Sequence, residues 1–210
     1  MKSIILWLKI AFKTALCAIK FIKSKNRSVL KKWAFDILRI SRVNVVCKGS
    51  FPKGSFIIMA NHESYFDIFA LLYCCDFDII WFAKKELFKV PIFGQALKES
   101  GAIAVDRTNA RKSSFAILKA LKTRKENEIM LIFPQGTRKD KNVFKDGGIL
   151  IAKKKKIPIV PLKITGSKEV LPYGKLRIKG GSITVEIFDK IDVENSSAKE
   201  IEKVLKEKIL

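Results

Sequence analysis

Glycine and proline are scarce in this chain, 11 and 6 of 210 residues. With 48% hydrophobic residues and 15 Phe, that scarcity excludes a collagen and a largely disordered protein and leaves ample material for a core. Long apolar runs are missing too. The longest stretches without a charge are nine residues, at 54–62 and 129–137, so no conventional membrane-spanning helix is expected. The start, Lys2 followed by the apolar run Ser3–Leu8, resembles a signal peptide, but Lys9 ends the run and no small-residue cleavage site follows. Histidine occurs once, at His62. The four cysteines, Cys17, Cys47, Cys74 and Cys75, show neither CxxC spacing nor a histidine partner. This excludes a Cys/His metal site, and because two of them are adjacent, all four read as buried, reduced core thiols in a reducing compartment rather than as a disulfide framework.

Acids are the other shortage: 20 Asp+Glu face 42 Lys+Arg, a net charge of +22 that calls for an anionic partner. Residues 1–42 hold 11 basic residues against Asp36 alone, whereas residues 190–210 hold five of each sign. Lysine outnumbers arginine 34 to 8, while nucleic-acid readers lean on arginine for bidentate contacts. No zinc-ligand spacing, aromatic RNA-binding signature or recognition helix is present, so nucleic acid is not the expected partner.

The N-terminal lysines follow a helical rule. At about 100° per residue, Lys2, Lys9, Lys13 and Lys20 share one narrow stripe, and the remainder of the cylinder is mostly apolar, including Trp7 and Phe12. Such a helix can lie in the headgroup region with its lysines on anionic lipid and Trp7 and Phe12 sunk toward the acyl chains. A helix packed on the core with a solvated basic face is the other reading. A second helix, capped by Ser28, is predicted to run to about Ser41, so residues 1–42 form a basic amphipathic hairpin that anchors the protein at a membrane surface. On this reading, deleting residues 1–25 should abolish vesicle binding.

From Val43 to residue 210 the chain alternates. Strand-like runs fall at 43–48, 55–60, 77–83, 102–106, 128–133, 157–164 and 182–188, and helical periodicity near 66–75, 86–99, 109–124, 145–155 and 196–210. The segment 166–175 reads as a loop. This order predicts a single α/β domain with a mixed, largely parallel sheet flanked by helices. Catalytic groups in such folds gather where strands end.

His62 sits at such an end, after the apolar run 55–60, with Asp67 five residues on. An imidazole can take a proton from a hydroxyl near neutral pH, and a carboxylate on its other nitrogen fixes the tautomer. Ser64–x–x–Asp67 also has capping-box spacing, so Asp67 could serve the helix start instead. The run 128–132 passes into FPQGTR at 133–138, where Pro134 stops the strand, Gly136 allows close backbone approach, and Thr137 and Arg138 suit a phosphate. A plain turn with a surface arginine would look the same. GAIAVDR, 101–107, ends in Asp106 and Arg107, a further cation or a structural ion pair.

Taken in order, these blocks resemble the lysophosphatidate (1-acylglycerol-3-phosphate) acyltransferases. Asn61–Asp67 matches the NHxSxxD block, Gly101–Arg107 the GxxxxDR block and Phe133–Arg138 the FPEGTR block. Ile157–Pro161 looks like the proline-containing fourth block, and Ala83–Leu87 with Pro91 and Gly94 is similar to the AKxEL segment. The resemblance covers roughly residues 45–170. It implies transfer of a fatty acyl group from an acyl-CoA or acyl-carrier-protein thioester to the sn-2 hydroxyl of 1-acylglycerol-3-phosphate, giving phosphatidate. His62 would be the base and Asp67 its orienter, Lys84, Arg107 and Arg138 would hold the phosphate, and Asn61, Ser64, Gln135, Gly136 and Thr137 would belong to the acceptor pocket. No metal or cofactor is implied. Gln135 departs from the family pattern, which has Glu there, and leaves another lysophospholipid or an amino-acid lysolipid as alternative acceptors. A non-catalytic protein binding membrane or nucleic acid is the more distant alternative. The implied location is monotopic, on the cytoplasmic face of the cell membrane.

Overall fold

The computed structural model describes residues 2–106, 115–119, 128–138 and 143–210. Two helices come first, α1 (Lys2–Ser24) and α2 (Ser28–Ile40), then strands β1 (Val43–Lys48) and β2 (Ile57–Ala60) and helix α3 (Phe66–Cys74). Next come β3 (Asp78–Ile80), β4 (Phe82–Lys84), a 3-10 turn at Lys85–Lys89, α4 (Phe93–Glu99), β5 (Ile103–Val105) and β6 (Glu128–Ile132). The chain ends with α5 (Gly147–Lys155), β7 (Ile159–Thr165), α6 (Ser167–Val170), β8 (Gly181–Ile187) and α7 (Ala198–Ile209). Residues 115–119, inside the expected helix 109–124, are helical; the rest of that stretch lies outside the described residues.

Six strands form one sheet in the order β1-β8-β7-β2-β6-β3, in which only the β7–β8 pair is antiparallel. The mixed, largely parallel sheet expected from the alternation is therefore present. Strand β2 shows why a central parallel strand reads as a continuous apolar run. Ile58 and Ala60 face a core shared with α1, α2 and α3, while Ile57 and Met59 face the opposite core with α5 and α7.

Four local expectations change. The apolar run 77–83 is two strands, because the chain leaves the main sheet at Trp81 and β4 pairs instead with β5, Phe82 opposite Ile103. The helix expected over 86–99 is broken at Pro91, before which the chain is extended. Gly94 allows that break, since a Cβ there would sit 2.2 Å from the Phe88 carbonyl oxygen. The loop 166–175 contains the short helix α6. Ser28 lies inside α2 and makes no side-chain cap; Asn26 Oδ1 accepts the Ser28 N–H at 2.9 Å instead.

The N-terminal hairpin is built into the fold. On α1, Ile10, Cys17, Ala18 and Phe21 are buried, and Lys13 reaches Asp36 of α2 at 2.8 Å, holding that carboxyl below the usual carboxylate range. Trp7 is turned inward: it packs on the core and its Nε1 donates to the Leu176 carbonyl at 2.6 Å, so it is not a residue free to sink into lipid. The opposite side of α1 carries Ile4, Ile5, Leu8, Phe12, Leu16 and Ile19 in the open, with Leu8 65% and Phe12 68% exposed.

The cysteine reading needs correction. Cys47 at the end of β1 and Cys74 at the end of α3 form a disulfide, with Cα atoms 5.8 Å apart, whereas Cys17 and Cys75 are free and buried. Burial pushes the Cys17 thiol up to about 11 and the Cys75 thiol up to about 12. Ellman titration of the native protein at pH 8 is therefore expected to find no reactive thiol. Denaturation without reductant should reveal two, and four would show that the disulfide is absent.

Candidate active site

The parallel neighbours β2 and β6 run in register, Met59 opposite Ile132, and end side by side. The chain then turns out of each strand, into Asn61–His62 on one side and Phe133–Pro134–Gln135–Gly136 on the other. Asn61 does not face a pocket: its Nδ2 donates to the Ile164 carbonyl at 2.8 Å and its Oδ1 accepts the Ile164 N–H at 2.7 Å, fastening the end of β2 to β7. Gln135 is buried and its Oε1 accepts the His62 backbone N–H at 3.1 Å. The amide thus performs a bracing task that one oxygen of a glutamate could also perform.

His62 is held on three sides. Besides that backbone bond, its ring stacks on Phe133 with centroids 4.0 Å apart, and its Nδ1 lies 2.7 Å from Asp67 Oδ2. The same carboxylate oxygen accepts the N–H groups of Glu63 at 2.8 Å and Ser64 at 2.9 Å. Ser64 Oγ accepts the Phe66 N–H at 3.2 Å and donates to the Leu171 carbonyl at 2.8 Å. Bracing of the turn before α3 and histidine orientation are therefore one arrangement. Asp67, fully buried in the first turn of α3, makes no side-chain cap on the helix but holds the two residues after His62 by their N–H groups and takes the imidazole with the same oxygen. With Nδ1–H committed to the carboxylate, the lone pair sits on Nε2.

His62 lines a cavity of about 730 Å³. Arg138, Lys84, Tyr65, Gly136 and Lys145 line it as well, and much of the remaining wall is apolar, from Cys17, Ala18 and Phe21 of α1, Leu30 and Trp33 of α2, and Ala96 and Leu97 of α4. The Arg138 guanidinium lies 3.7 Å over the Tyr65 ring and 5.2 Å from the Tyr173 ring, which restricts its orientation. Gly136 has φ +63°, and a Cβ there would come within 3.2 Å of Lys145 Nζ, so glycine both permits the turn and leaves room for a second cation.

Of the five residues expected in the acceptor pocket, only Gly136 is in the wall. Asn61, Ser64 and Gln135 lie behind it with polar atoms engaged by backbone groups, and Thr137, half-buried, does not line it. Among the expected phosphate ligands, Arg138 and Lys84 line the cavity, Lys84 also standing 3.6 Å from Glu86. Arg107 lies outside the described residues. Its neighbour Asp106 pairs with Lys85 at 2.7 Å, a structural ion pair. Sequence reasoning missed Lys145, Tyr65 and Tyr173. Tyr65 lay inside the matched NHxSxxD block, but Lys145 and Tyr173 carried no local signal.

The family model described as Acyltransferase matches residues 42–165, more than half of the chain. The chain belongs to that family. Named 1-acyl-sn-glycerol-3-phosphate acyltransferases are similar to this acyltransferase-family chain. The one from Helicobacter pylori is 33% identical over 70% of this chain, and the one from Bacillus subtilis 37% identical over 65% of it. The matches span 64% and 70% of those relatives' own lengths. A crystal structure of the 1-acyl-sn-glycerophosphate acyltransferase from Thermotoga maritima superposes with a TM-score of 0.79 at 24% identity, covering 98% of this chain and 92% of that one. That likeness extends the shared fold to the N-terminal helices.

Proposed function

We propose that this chain transfers a fatty acyl group from an acyl-CoA or acyl-carrier-protein thioester to the sn-2 hydroxyl of 1-acylglycerol-3-phosphate, forming phosphatidate. The observation that carries the reading is His62, paired with buried Asp67 behind it, on the wall of a largely apolar cavity that also presents Arg138, Lys84 and Lys145. An acceptor with a phosphate and an acyl chain needs both kinds of wall. His62 Nε2 takes the proton of the acceptor hydroxyl as the oxygen attacks the thioester carbonyl. Collapse of the tetrahedral intermediate forms the ester and expels the thiolate, which recovers the proton from the imidazolium. The steps need neither a covalent acyl-enzyme nor a metal, and Arg138 and the lysines would hold the acceptor phosphate.

The outward row of α1 supports a location on a bilayer surface, since Leu8 and Phe12 stand in the open beside exposed Lys9 and Lys20. Among the described residues no helix is long and apolar enough to cross a membrane, in keeping with a monotopic protein. The expected location, the cytoplasmic face, meets one opposing feature, because disulfides such as Cys47–Cys74 are rare in cytosolic proteins. Relatives named for lysophosphatidate favour that acceptor over other lysolipids.

The test is product identification. The purified protein is incubated with a panel of lysolipid vesicles and with acyl-CoA or acyl-carrier protein, and products are read by mass spectrometry. Phosphatidate is the expected product; turnover of a different lysolipid alone would overturn the acceptor assignment, and no turnover with any would overturn the reaction.

A further inference from the structure

The most exposed large apolar side chain among the described residues is not on α1. It is Leu176, 73% exposed, at the tip of the loop between α6 and β8. Lys175 and Arg177 flank it, both exposed, and the stretch from Leu171 to Gly181 holds three basic residues and no acid. An apolar tip between two cations is chemically matched to an anionic lipid surface, where the leucine can enter the acyl boundary while the cations stay among headgroups.

The loop is not a free flap. Its Leu176 carbonyl accepts from Trp7 Nε1 at 2.6 Å and from Ser3 Oγ at 3.5 Å, which ties it to the beginning of α1, where the outward row of Ile4, Leu8 and Phe12 starts. At its other end, the Leu171 carbonyl accepts from Ser64 Oγ, and Tyr173 lies beside the Arg138 guanidinium. One short segment thus connects the membrane-facing helix with the residues around His62.

We propose that the loop 172–177 is a second point of bilayer contact besides α1, with Leu176 as its inserted side chain. The inference rests on the bilayer reading of α1 given above and adds to it a contact remote in sequence.

The experiment compares Leu176→Glu and Leu176→Phe with the wild type by sedimentation with vesicles of equal parts phosphatidylglycerol and phosphatidylcholine. Leu176→Glu is expected to lower the partition coefficient about 10-fold or more, and Leu176→Phe to preserve it. Turnover of a short-chain lysophosphatidate dissolved in water should stay at the wild-type rate in both variants, because the exposed Leu176 is not among the residues that line the cavity. Unchanged sedimentation of Leu176→Glu overturns the proposal. If a variant with acids on the outer row of α1 loses binding in the same assay, the reading of α1 survives alone; if it too is unchanged, both fall. An equal loss for Leu176→Phe overturns it as well, since apolar character would then not be what matters. Lost transfer only from carrier-protein-bound donor, with partition intact, would assign the loop to an acidic carrier protein instead.

Discussion

Asp67→Asn is expected to lower turnover by about 10²-fold or more while leaving the acceptor KM near its wild-type value. The carboxylate oxygen that holds His62 Nδ1 also accepts two backbone N–H groups, so an asparagine oxygen is retained by those two donors. That oxygen can still accept the His62 Nδ1–H, so what the variant loses is the negative charge that stabilises the imidazolium formed when Nε2 takes the hydroxyl proton. Asp67 is fully buried and does not line the cavity, which is why binding should be spared. His62→Ala is expected to cost about 10²–10⁴-fold. Pre-steady-state and steady-state rates on lysophosphatidate vesicles check both. A value of kcat within a few-fold of wild type for either variant would remove the base from the mechanism, and a large rise in KM for Asp67→Asn would recast the residue as a binding group.

The second large effect concerns α1. Removing residues 1–25 is not a clean test of membrane binding, because Ile10, Cys17, Ala18 and Phe21 belong to the core and three of these four also line the cavity. The double substitution Leu8→Glu, Phe12→Glu changes only exposed positions. Full burial of a Leu or Phe side chain is worth about 1.5–3 kcal/mol, so losing two and adding two repelled carboxylates should weaken partition by 10²-fold or more. Folding stability should move by less than about 0.5 kcal/mol per site, as is usual for exposed positions. Vesicle sedimentation alongside thermal denaturation separates the two quantities. Wild-type sedimentation of the double variant would place the membrane surface elsewhere.

What the sequence disclosed, and what it hid, follows a physical line. The ends of β2 and β6 were legible because Pro134 stops a strand and a lone histidine after an apolar run is conspicuous. Even the double use of Asp67 was legible, since one oxygen takes both the Ser64 N–H three residues back and the His62 ring, although no cap on α3 results. Sequence could not tell a polar side chain that faces a ligand from one that braces the backbone. Asn61, Ser64 and Gln135 sit in matched blocks, yet their partners are the Ile164 and Leu171 backbone groups and the His62 N–H. Nor could a helical wheel say which apolar side of α1 is covered. Trp7 is turned inward by a carbonyl 169 residues away, a contact with no local trace. The pairing of Cys47 with Cys74 was hidden for the same reason, because only the meeting of β1 with α3 brings them together.

The Cys47–Cys74 bond joins positions 27 residues apart, and the whole stretch from Asn61 to Asp67 lies between them. Closing a loop of that size withdraws about 3–4 kcal/mol of chain entropy from the unfolded ensemble in the loop-closure model. An oxidised chain that unfolds therefore cannot spread out the segment carrying the histidine and its carboxylate, and begins each refolding attempt with β1 and α3 already neighbours. Oxidation would lower the entropy cost of rebuilding the segment around His62 after thermal stress.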